Sequence, residues 1–130
     1  MQEVRDFLKD CGAYFLATID GDQPRVRPFG TAEIINEKLY IETAKSKNVS
    51  KQIEKNPKVE LCGLKDGKWI RVTGKLVRDD RIEAKEKMFM QDPTLNDIYD
   101  VYDDNVEVLY FENATAIISS FTEEDKVINF

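Results

Sequence analysis

Apolar residues near the start of the chain recur at the spacing of a helix. Val4, Phe7, Leu8 and Cys11 lie at i, i+3, i+4 and i+7, and Gly12 follows them. This spacing places all four side chains on one helical face, and glycine commonly follows the last residue of a helix because it tolerates positive φ. We therefore predict a first helix that ends at Gly12.

Beyond Gly12 the apolar period changes to two, which is the period of β-strands. Two hairpins are predicted around the Asp-Gly pairs at 20–21 and 66–67, because glycine supplies the positive φ that a tight turn needs. The predicted strands are 14–20, 23–31, 38–42, 58–64, 68–77, 106–112 and 114–120.

Two further helices are predicted between these strands. The first begins at Ser46 or Lys47 and stops before Pro57, since proline disfavours the α conformation in the residue before it. The second starts with the capping-box spacing of Asp80 and Glu83 and runs to about residue 90. The remaining stretches are expected to be loop or broken helix at 91–105 and a surface tail at 121–130.

Hairpin strands with short helices between them indicate an α+β protein that is mainly β. We expect six to seven strands in a small antiparallel barrel. Residues 1–130 are expected to form one domain, because folded domains cluster near roughly 100–150 residues.

The charge balance narrows the classes of partner. Lys and Arg number 19 against 25 Asp and Glu, so the formal net charge is -6. An acidic surface repels phosphate backbones and anionic lipid headgroups, and neither nucleic acid nor a membrane surface is an expected partner. The chain has no apolar run long enough for a membrane span and no signal-peptide pattern at its start, which favours a cytoplasmic protein.

The absence of histidine excludes several kinds of catalytic site and metal site. It removes Ser-His-Asp and Cys-His catalysis, as well as zinc or haem bound through histidine. The two cysteines, Cys11 and Cys62, are too far apart for a CxxC motif, and we predict no metal ligands; the sequence identifies no catalytic side chain. Glycine-rich phosphate loops are also absent. Carboxylate chemistry remains, or chemistry supplied by a bound cofactor.

Three segments carry side chains that suit an anionic, aromatic ligand. Arg25 and Arg27 share one face of a strand, and residues 43–48 lead into a helix whose free N–H groups favour a phosphate. Trp69 and Arg71 also share a strand face. Each segment has an ordinary alternative: arginines paired with surface carboxylates, a serine cap followed by solvated lysines, or a Trp–Arg cation–π pair.

The order of these segments is more specific than any one of them. After the opening helix come ATIDGDQPRVRP at 17–28, YIET at 40–43, Lys47-Asn48 leading to QIEKNPKV at 52–59, and WIRVTG at 69–74. This run resembles the pyridoxamine 5'-phosphate oxidase-like family, the FMN-binding split barrels, over roughly residues 13–120. Within that family it is most similar to short, single-domain flavoproteins akin to the nitroimidazole-resistance proteins.

The resemblance implies a split β-barrel that binds FMN, forms a homodimer with FMN at the subunit interface, and acts as an oxidoreductase, a reductase of an unidentified small molecule. One alternative is a non-catalytic FMN-binding or flavin-sequestering protein, and another is a cofactor-free interaction module. A deazaflavin or haem in place of FMN stays open. Tyr110 and Phe111 are candidates for the dimer contact.

By the same resemblance, ten residues are expected to contact the cofactor. They are Arg27, Pro28 and Phe29 along the isoalloxazine and ribityl chain, Glu42 and Thr43 beside the flavin, Lys47 and Asn48 on the phosphate, and Trp69, Ile70 and Arg71 near the polar edge of the ring. Either Lys47 or Asn48 could be the main phosphate contact.

Two departures from the family limit what the resemblance implies. Residues 111–116 contain neither the arginine nor the histidine with which the oxidases hold pyridoxal phosphate. The histidine associated with the nitroimidazole-resistance proteins is also absent. The resemblance therefore implies neither vitamin B6 oxidation nor nitroimidazole reduction.

Overall fold

All eight strands belong to one antiparallel sheet in a computed structural model that describes residues 1–130. The strands are β1 (Tyr14–Asp20), β2 (Gln23–Phe29), β3 (Glu33–Ile35), β4 (Lys38–Ala44), β5 (Lys58–Lys65), β6 (Lys68–Asp79), β7 (Val106–Ser120) and β8 (Lys126–Asn129). The helices are α1 (Gln2–Cys11), α2 (Asn48–Lys55) and α3 (Ile82–Gln91), and a 3-10 helix spans Pro93–Asp97. The α+β class is confirmed, with eight strands instead of the six or seven expected.

The strand order makes the sheet open. It runs β2-β1-β5-β6-β7-β4-β3, with β8 added to β7. Because β2 and β3 do not pair with each other, the sheet does not close into a continuous barrel. This arrangement is consistent with the split-barrel type predicted from the sequence.

β7 is one strand where two were predicted. The expected break lies at Asn113, which has a positive φ of 53°, and the pairing of β6 with β7 shifts register between Thr73 and Lys75. A Cβ atom on Gly74 would lie only 3.1 Å from the Cβ of Ala114, so the close approach of the two strands favours glycine. The bulge therefore bends the ladder at this point without ending it.

Two short strands were not predicted. β3 precedes a turn at Asn36 and Glu37, both with positive φ, and this turn lacks the glycine that marks the other hairpins. β8 lies within the expected surface tail and is largely exposed, but it pairs with residues 115–118 of β7. Both strands consist of three or four residues, too few for an alternating pattern to be recognised.

The helix ends differ in how well the sequence predicted them. α1 ends at Gly12 with a φ of 76°, and α2 ends before Asn56-Pro57, as predicted. The predicted capping box is wrong, because Arg81 is the residue that precedes α3 and no side chain caps the helix. The helices have eight to ten residues each, and none is long and apolar enough to cross a membrane.

Buried apolar residues form two clusters. The larger, of 19 residues, joins α1 and α2 to the inner face of β1, β2 and β4–β7. The smaller, of eight residues, lies under α3 and the 3-10 helix and includes Met88, Phe89 and Leu95. The candidate site described next extends along α2 to the 3-10 helix.

Candidate functional site

A cationic groove lies between β2 and α2, and we call it the outer groove. It has a volume of about 860 Å³ and takes side chains from the β1–β2 turn, from β2 and from α2. Its charged lining residues are Asp20, Arg25, Arg27, Lys47, Lys51 and Lys55. Asp20 is the single carboxylate among them, and it is paired with Arg25 at 3.2 Å. The other cations of the groove are left to interact with solvent or with an anion.

Arg27 forms the floor of the groove. Its guanidinium donates hydrogen bonds to Thr18 Oγ1 at 2.7 Å, Leu16 O at 3.2 Å and Gln52 Oε1 at 2.6 Å. None of these acceptors carries a charge. Burial, together with the neighbouring Arg25, lowers the pKa of Arg27. The guanidinium is therefore oriented by neutral groups while its positive charge is uncompensated.

The first turn of α2 borders the same groove. Lys47 precedes the helix and no side chain caps it, so the N–H groups of the first turn lack a side-chain acceptor. Such N–H groups and the positive end of the helix dipole favour an anion. Of the other polar residues in this segment, Lys45 pairs with Asp80 at 3.8 Å and the Ser46 hydroxyl accepts a hydrogen bond from Asn105. Lys47 thus faces the groove, whereas the side chains of Lys45 and Ser46 contact other residues.

A smaller cavity continues from the outer groove, and we call it the inner cavity. Its volume is about 310 Å³. It is lined by residues 27–31, by Glu42 and Thr43 of β4, by Lys47 and Val49, and by Asp92, Thr94, Leu95, Ile98 and Tyr99. Arg27, Lys47 and Val49 line both spaces, so the two adjoin. Phe29, Leu95 and Tyr99 give the inner cavity an apolar and aromatic character that the outer groove lacks.

Glu42 is the buried acid of the inner cavity. Glu42 is 7% exposed, and its Oε1 atom is buried with no hydrogen-bond partner. Its backbone N–H donates to Thr31 Oγ1 at 2.9 Å, which fixes the strand but leaves the carboxyl free. Burial raises the pKa of Glu42 to about 8; Asp92 also raises it, and Lys47 opposes both.

The ten predicted contact residues fall into two places. Seven line the groove or the cavity: Arg27, Pro28, Phe29, Glu42, Thr43, Lys47 and Asn48. Trp69 and Arg71 lie on β6, away from both spaces, and Ile70 is fully buried in the larger core. The side chain of Ile70 is thus committed to packing, and the other two face outward.

Trp69 and Arg71 belong to an exposed face of the sheet, here called the outer face. Arg71 is flanked by Cys62 on β5 and Ile117 on β7, and the same row continues to Phe15 and Val127. Phe15 is 52% exposed and Val127 57%. The Trp69 ring contacts Phe121 with centroids 5.1 Å apart. Exposed apolar residues that lie together on one face commonly mark an interaction site.

Neither aromatic candidate for the dimer contact lies on the outer face. Phe111 is 4% exposed and packs in the larger core. Tyr110 packs against Tyr40 with ring centroids 5.4 Å apart, and Lys38 lies over its ring at 4.1 Å. The burial of Phe111 in the core is incompatible with its predicted contact, whereas the contact of the half-buried Tyr110 stays a prediction.

Several lining residues were not predicted. Lys51 and Lys55 follow Lys47 at i+4 and i+8, a spacing that places all three on one helical face and could have revealed the cationic side of α2. Asp92 and Tyr99 come from the stretch between α3 and β7, where no periodic pattern exists. Only the folded chain brings that stretch to the cavity.

The chain matches a family model. Residues 1–116 match the model described as pyridoxamine 5'-phosphate oxidase. No curated protein shows a significant match to the chain.

Solved structures show the same architecture. A NimC/NimA family protein from Clostridium acetobutylicum is 43% identical, with a TM-score of 0.97, over 100% of this chain and 92% of that one. General stress protein 26 from Bacillus anthracis is 16% identical, with a TM-score of 0.74, over 98% and 99%. A haem-binding protein from Mycobacterium smegmatis is 9% identical, with a TM-score of 0.75, over 98% of this chain and 56% of that one. The last two likenesses show the fold alone.

Proposed function

The chain belongs to the pyridoxamine 5'-phosphate oxidase family, and from that premise we propose that it binds FMN and serves as an oxidoreductase for an unidentified small molecule. One observation carries the proposal: a cationic groove adjoins an apolar, aromatic cavity, and Arg27 and Lys47 line both. FMN combines a phosphate with a flat ring, and it matches both the charge and the polarity of this pair of spaces. Glu42, which lines the cavity and has no cation within salt-bridge distance, adds a polar group to its wall.

Different residues would contact the phosphate and the ring of the ligand. Lys47 and the N–H groups of Asn48 and Val49 would hold the phosphate, with Arg27 beside them. Phe29, Thr43 and Glu42 would line the ring. A bound FMN would supply electron or hydride transfer, and the protein would position it and exclude water.

FMN fits the lining better than haem does. Haem iron is commonly held by histidine or by a cysteine thiolate. The chain has no histidine, and neither Cys11 nor Cys62 lines the groove or the cavity. The common nitrogen and sulfur ligands are therefore missing where the ligand would lie.

We further propose that the protein is a homodimer with FMN near the subunit interface. The outer face supports this proposal. Ile19 lies on the same side of β1 as Phe15, and Val26 lies beside it on β2. Both are exposed apolar residues that also line the groove, so the outer face reaches the site. The partner's copies of Trp69 and Arg71 are the candidates for completing the site. Light scattering of the FMN-loaded protein at micromolar concentration should give twice the mass of the 15.0 kDa chain; the monomer mass would contradict the proposal.

A fluorescence titration with FMN and riboflavin tests the cofactor assignment. FMN should bind more tightly, because only FMN carries the phosphate. Lys47→Ala should weaken FMN binding by roughly 1–3 kcal/mol, the contribution of a charge-assisted hydrogen bond, and leave riboflavin unchanged. Lys75→Ala is the matched control, since Lys75 is an exposed lysine of β6 that does not line the groove.

Equal affinity of the unmutated protein for FMN and riboflavin would contradict the phosphate site. The enzymatic part of the proposal has its own test, which is anaerobic addition of NADH or NADPH to the FMN-loaded protein. Bleaching of the flavin absorption supports a reductase. Stable colour with both donors would favour the alternative of a flavin-sequestering protein.

A further inference from the structure

Glu42 occupies an unusual position for a carboxyl group. It lies on a central stretch of β4, more than nine-tenths buried, and contributes to the wall of the inner cavity. An ionised carboxylate in such a place normally has a cation or several N–H donors within hydrogen-bond distance. The structure shows neither for Glu42, and its Oε1 atom is without any partner.

The charged groups around Glu42 do not supply that partner. The titratable groups that face it from the surrounding elements are the cations Arg27 of β2 and Lys47 before α2, the acid Asp92 after α3, and the neutral phenols Tyr14 of β1 and Tyr99 after the 3-10 helix. Each of the nearest is engaged elsewhere. Asp92 forms a salt bridge with Lys9 at 3.2 Å, Lys47 lies 3.4 Å from the Tyr99 hydroxyl, and Tyr14 donates to Thr31 O at 2.6 Å. On the neighbouring strands, Glu107 and Arg78 pair with each other at 3.2 Å.

A neutral carboxyl group fits this environment better than a charged one. Burial of an unpaired carboxylate is far more costly than burial of a carboxylic acid, so the buried group retains its proton. The direction of the shift agrees, because burial raises the pKa of Glu42 to about 8, while the positive charge of Lys47 only partly opposes it. A carboxylic acid, unlike a carboxylate, can donate a hydrogen bond.

We propose that Glu42 enters the inner cavity as a neutral carboxylic acid and donates a hydrogen bond to an acceptor atom of the ring bound there. This inference rests on the proposed function, and it assigns the ring a chemical requirement: a carbonyl oxygen or an unprotonated ring nitrogen facing β4. The isoalloxazine ring carries both kinds of acceptor. A ring that presents only N–H donors at this position is discriminated against, because the donor of Glu42 would then be left without an acceptor.

The proposal predicts that ring binding depends on pH. If the ring binds only the protonated form, its affinity is constant below pH 8 and falls above it. By proton linkage, the dissociation constant at pH 9 should be about tenfold higher than at pH 7. Riboflavin is the appropriate probe, because it has the ring of FMN without the phosphate, whose own ionisation would complicate the profile.

Two measurements on the full chain test the proposal. The first is a riboflavin titration between pH 6.5 and 9 with the unmutated protein, Glu42→Gln and Glu37→Gln. Glu42→Gln keeps an N–H donor that does not ionise, so its profile should be flat. Glu37→Gln is the matched control, since Glu37 is an exposed glutamate of the β3–β4 turn, and it should follow the unmutated protein. The second measurement follows the Glu42 carboxyl by carbon NMR in the ligand-free protein, where it should titrate near pH 8.

The outcomes separate this proposal from the proposed function. Absence of riboflavin and FMN binding at every pH overturns the proposed function, and the ring contact of Glu42 with it. Riboflavin affinity that is equal at pH 7 and pH 9, or a Glu42→Gln variant that retains the pH dependence, overturns only the role of Glu42. A Glu42 carboxyl that titrates near 4.5 in the free protein overturns the neutral acid regardless of any flavin.

Discussion

Two buried glutamates lie on adjacent strands, and their carboxyl groups have opposite surroundings: one is paired with cations and the other is not. Glu33 on β3 is 1% exposed and is held by Arg5 of α1 at 2.9 Å and by Lys9 at 3.0 Å. Glu42 on β4 is 7% exposed and has no partner for its carboxyl. The strands that carry the two residues pair directly with each other.

The difference is between a carboxylate that is paired with two cations and one that has no cation partner. Lys9 also reaches Asp92 at 3.2 Å, so the ion cluster of Glu33 joins α1, β3 and the end of α3. Lys47 lines the same cavity as Glu42, yet it contacts Tyr99 instead. The chain thus pairs a buried carboxylate where packing needs one and leaves the other unpaired at the cavity wall.

Removing the partners of Glu33 should have the largest effect on stability. Arg5→Met with Lys9→Met leaves the carboxylate buried and unpaired, which typically costs about 3–5 kcal/mol. Urea unfolding, with the slope checked for two-state behaviour, measures the change. Adding Glu33→Gln to this double variant should restore part of the loss. A loss below about 1 kcal/mol would mean that the cluster does not stabilise the fold.

Glu42→Gln should change how stability depends on pH. The folded-state pKa of Glu42, about 8, lies above its ordinary value of 4.5, so the folded state holds this proton more tightly than the unfolded state does. The contribution of Glu42 to stability is therefore fully present below pH 4.5, falls as the pH rises to about 8, and is lost above it.

Glu42→Gln has no proton to lose, so relative to the unmutated protein it should gain stability between pH 5 and pH 9, by up to about 4 kcal/mol for this shift. Urea unfolding at these two pH values measures the gain. Parallel pH profiles for the two proteins would show that Glu42 is paired or hydrated in solution.

The exposed pair at the rim of the groove should give the smallest effect. Asp20 and Arg25 lie 3.2 Å apart with about half of each side chain exposed. Asp20→Asn should change the free energy of unfolding by less than about 1 kcal/mol, because such pairs are solvated and screened. It should also strengthen FMN binding slightly at low salt, since Arg25 is then uncompensated, and the gain should vanish at high salt. Thermal unfolding and FMN titrations at two salt concentrations check both; a salt-independent gain would argue against an electrostatic cause.

The fold was predictable where local patterns decide it. The helix spacing before Gly12, the Asp-Gly hairpins and the stop at Pro57 all depend on residues close in sequence. β3 and β8 were missed because they form only by pairing with β4 and β7, which no local pattern specifies. Likewise the continuity of β7 through Asn113 depends on the bulge opposite, at Gly74.

The site was predictable in its cationic half and less so in its chemistry. Arg27 and Lys47 were identified from segments that line the groove, and Lys51 and Lys55 could have been added from their helical spacing. The state of Glu42 depends on burial and on the lack of a partner, which become known only from the folded chain. The contacts of Trp69 and Arg71 with a cofactor stay predictions, because they concern the outer face and a second subunit.

The position of β7 in the sheet has a consequence for synthesis on the ribosome. β7 lies between β6 and β4, pairs with β4 through residues 106–110 and with β6 through residues 108–120, and so joins the β2-β1-β5-β6 group to the β4-β3 hairpin. Until residue 120 has emerged, these two groups have no strand between them, and the facing edges of β6 and β4 are open to other chains. Contacts this distant in sequence form slowly. The nascent chain is therefore exposed to aggregation until β7 is inserted.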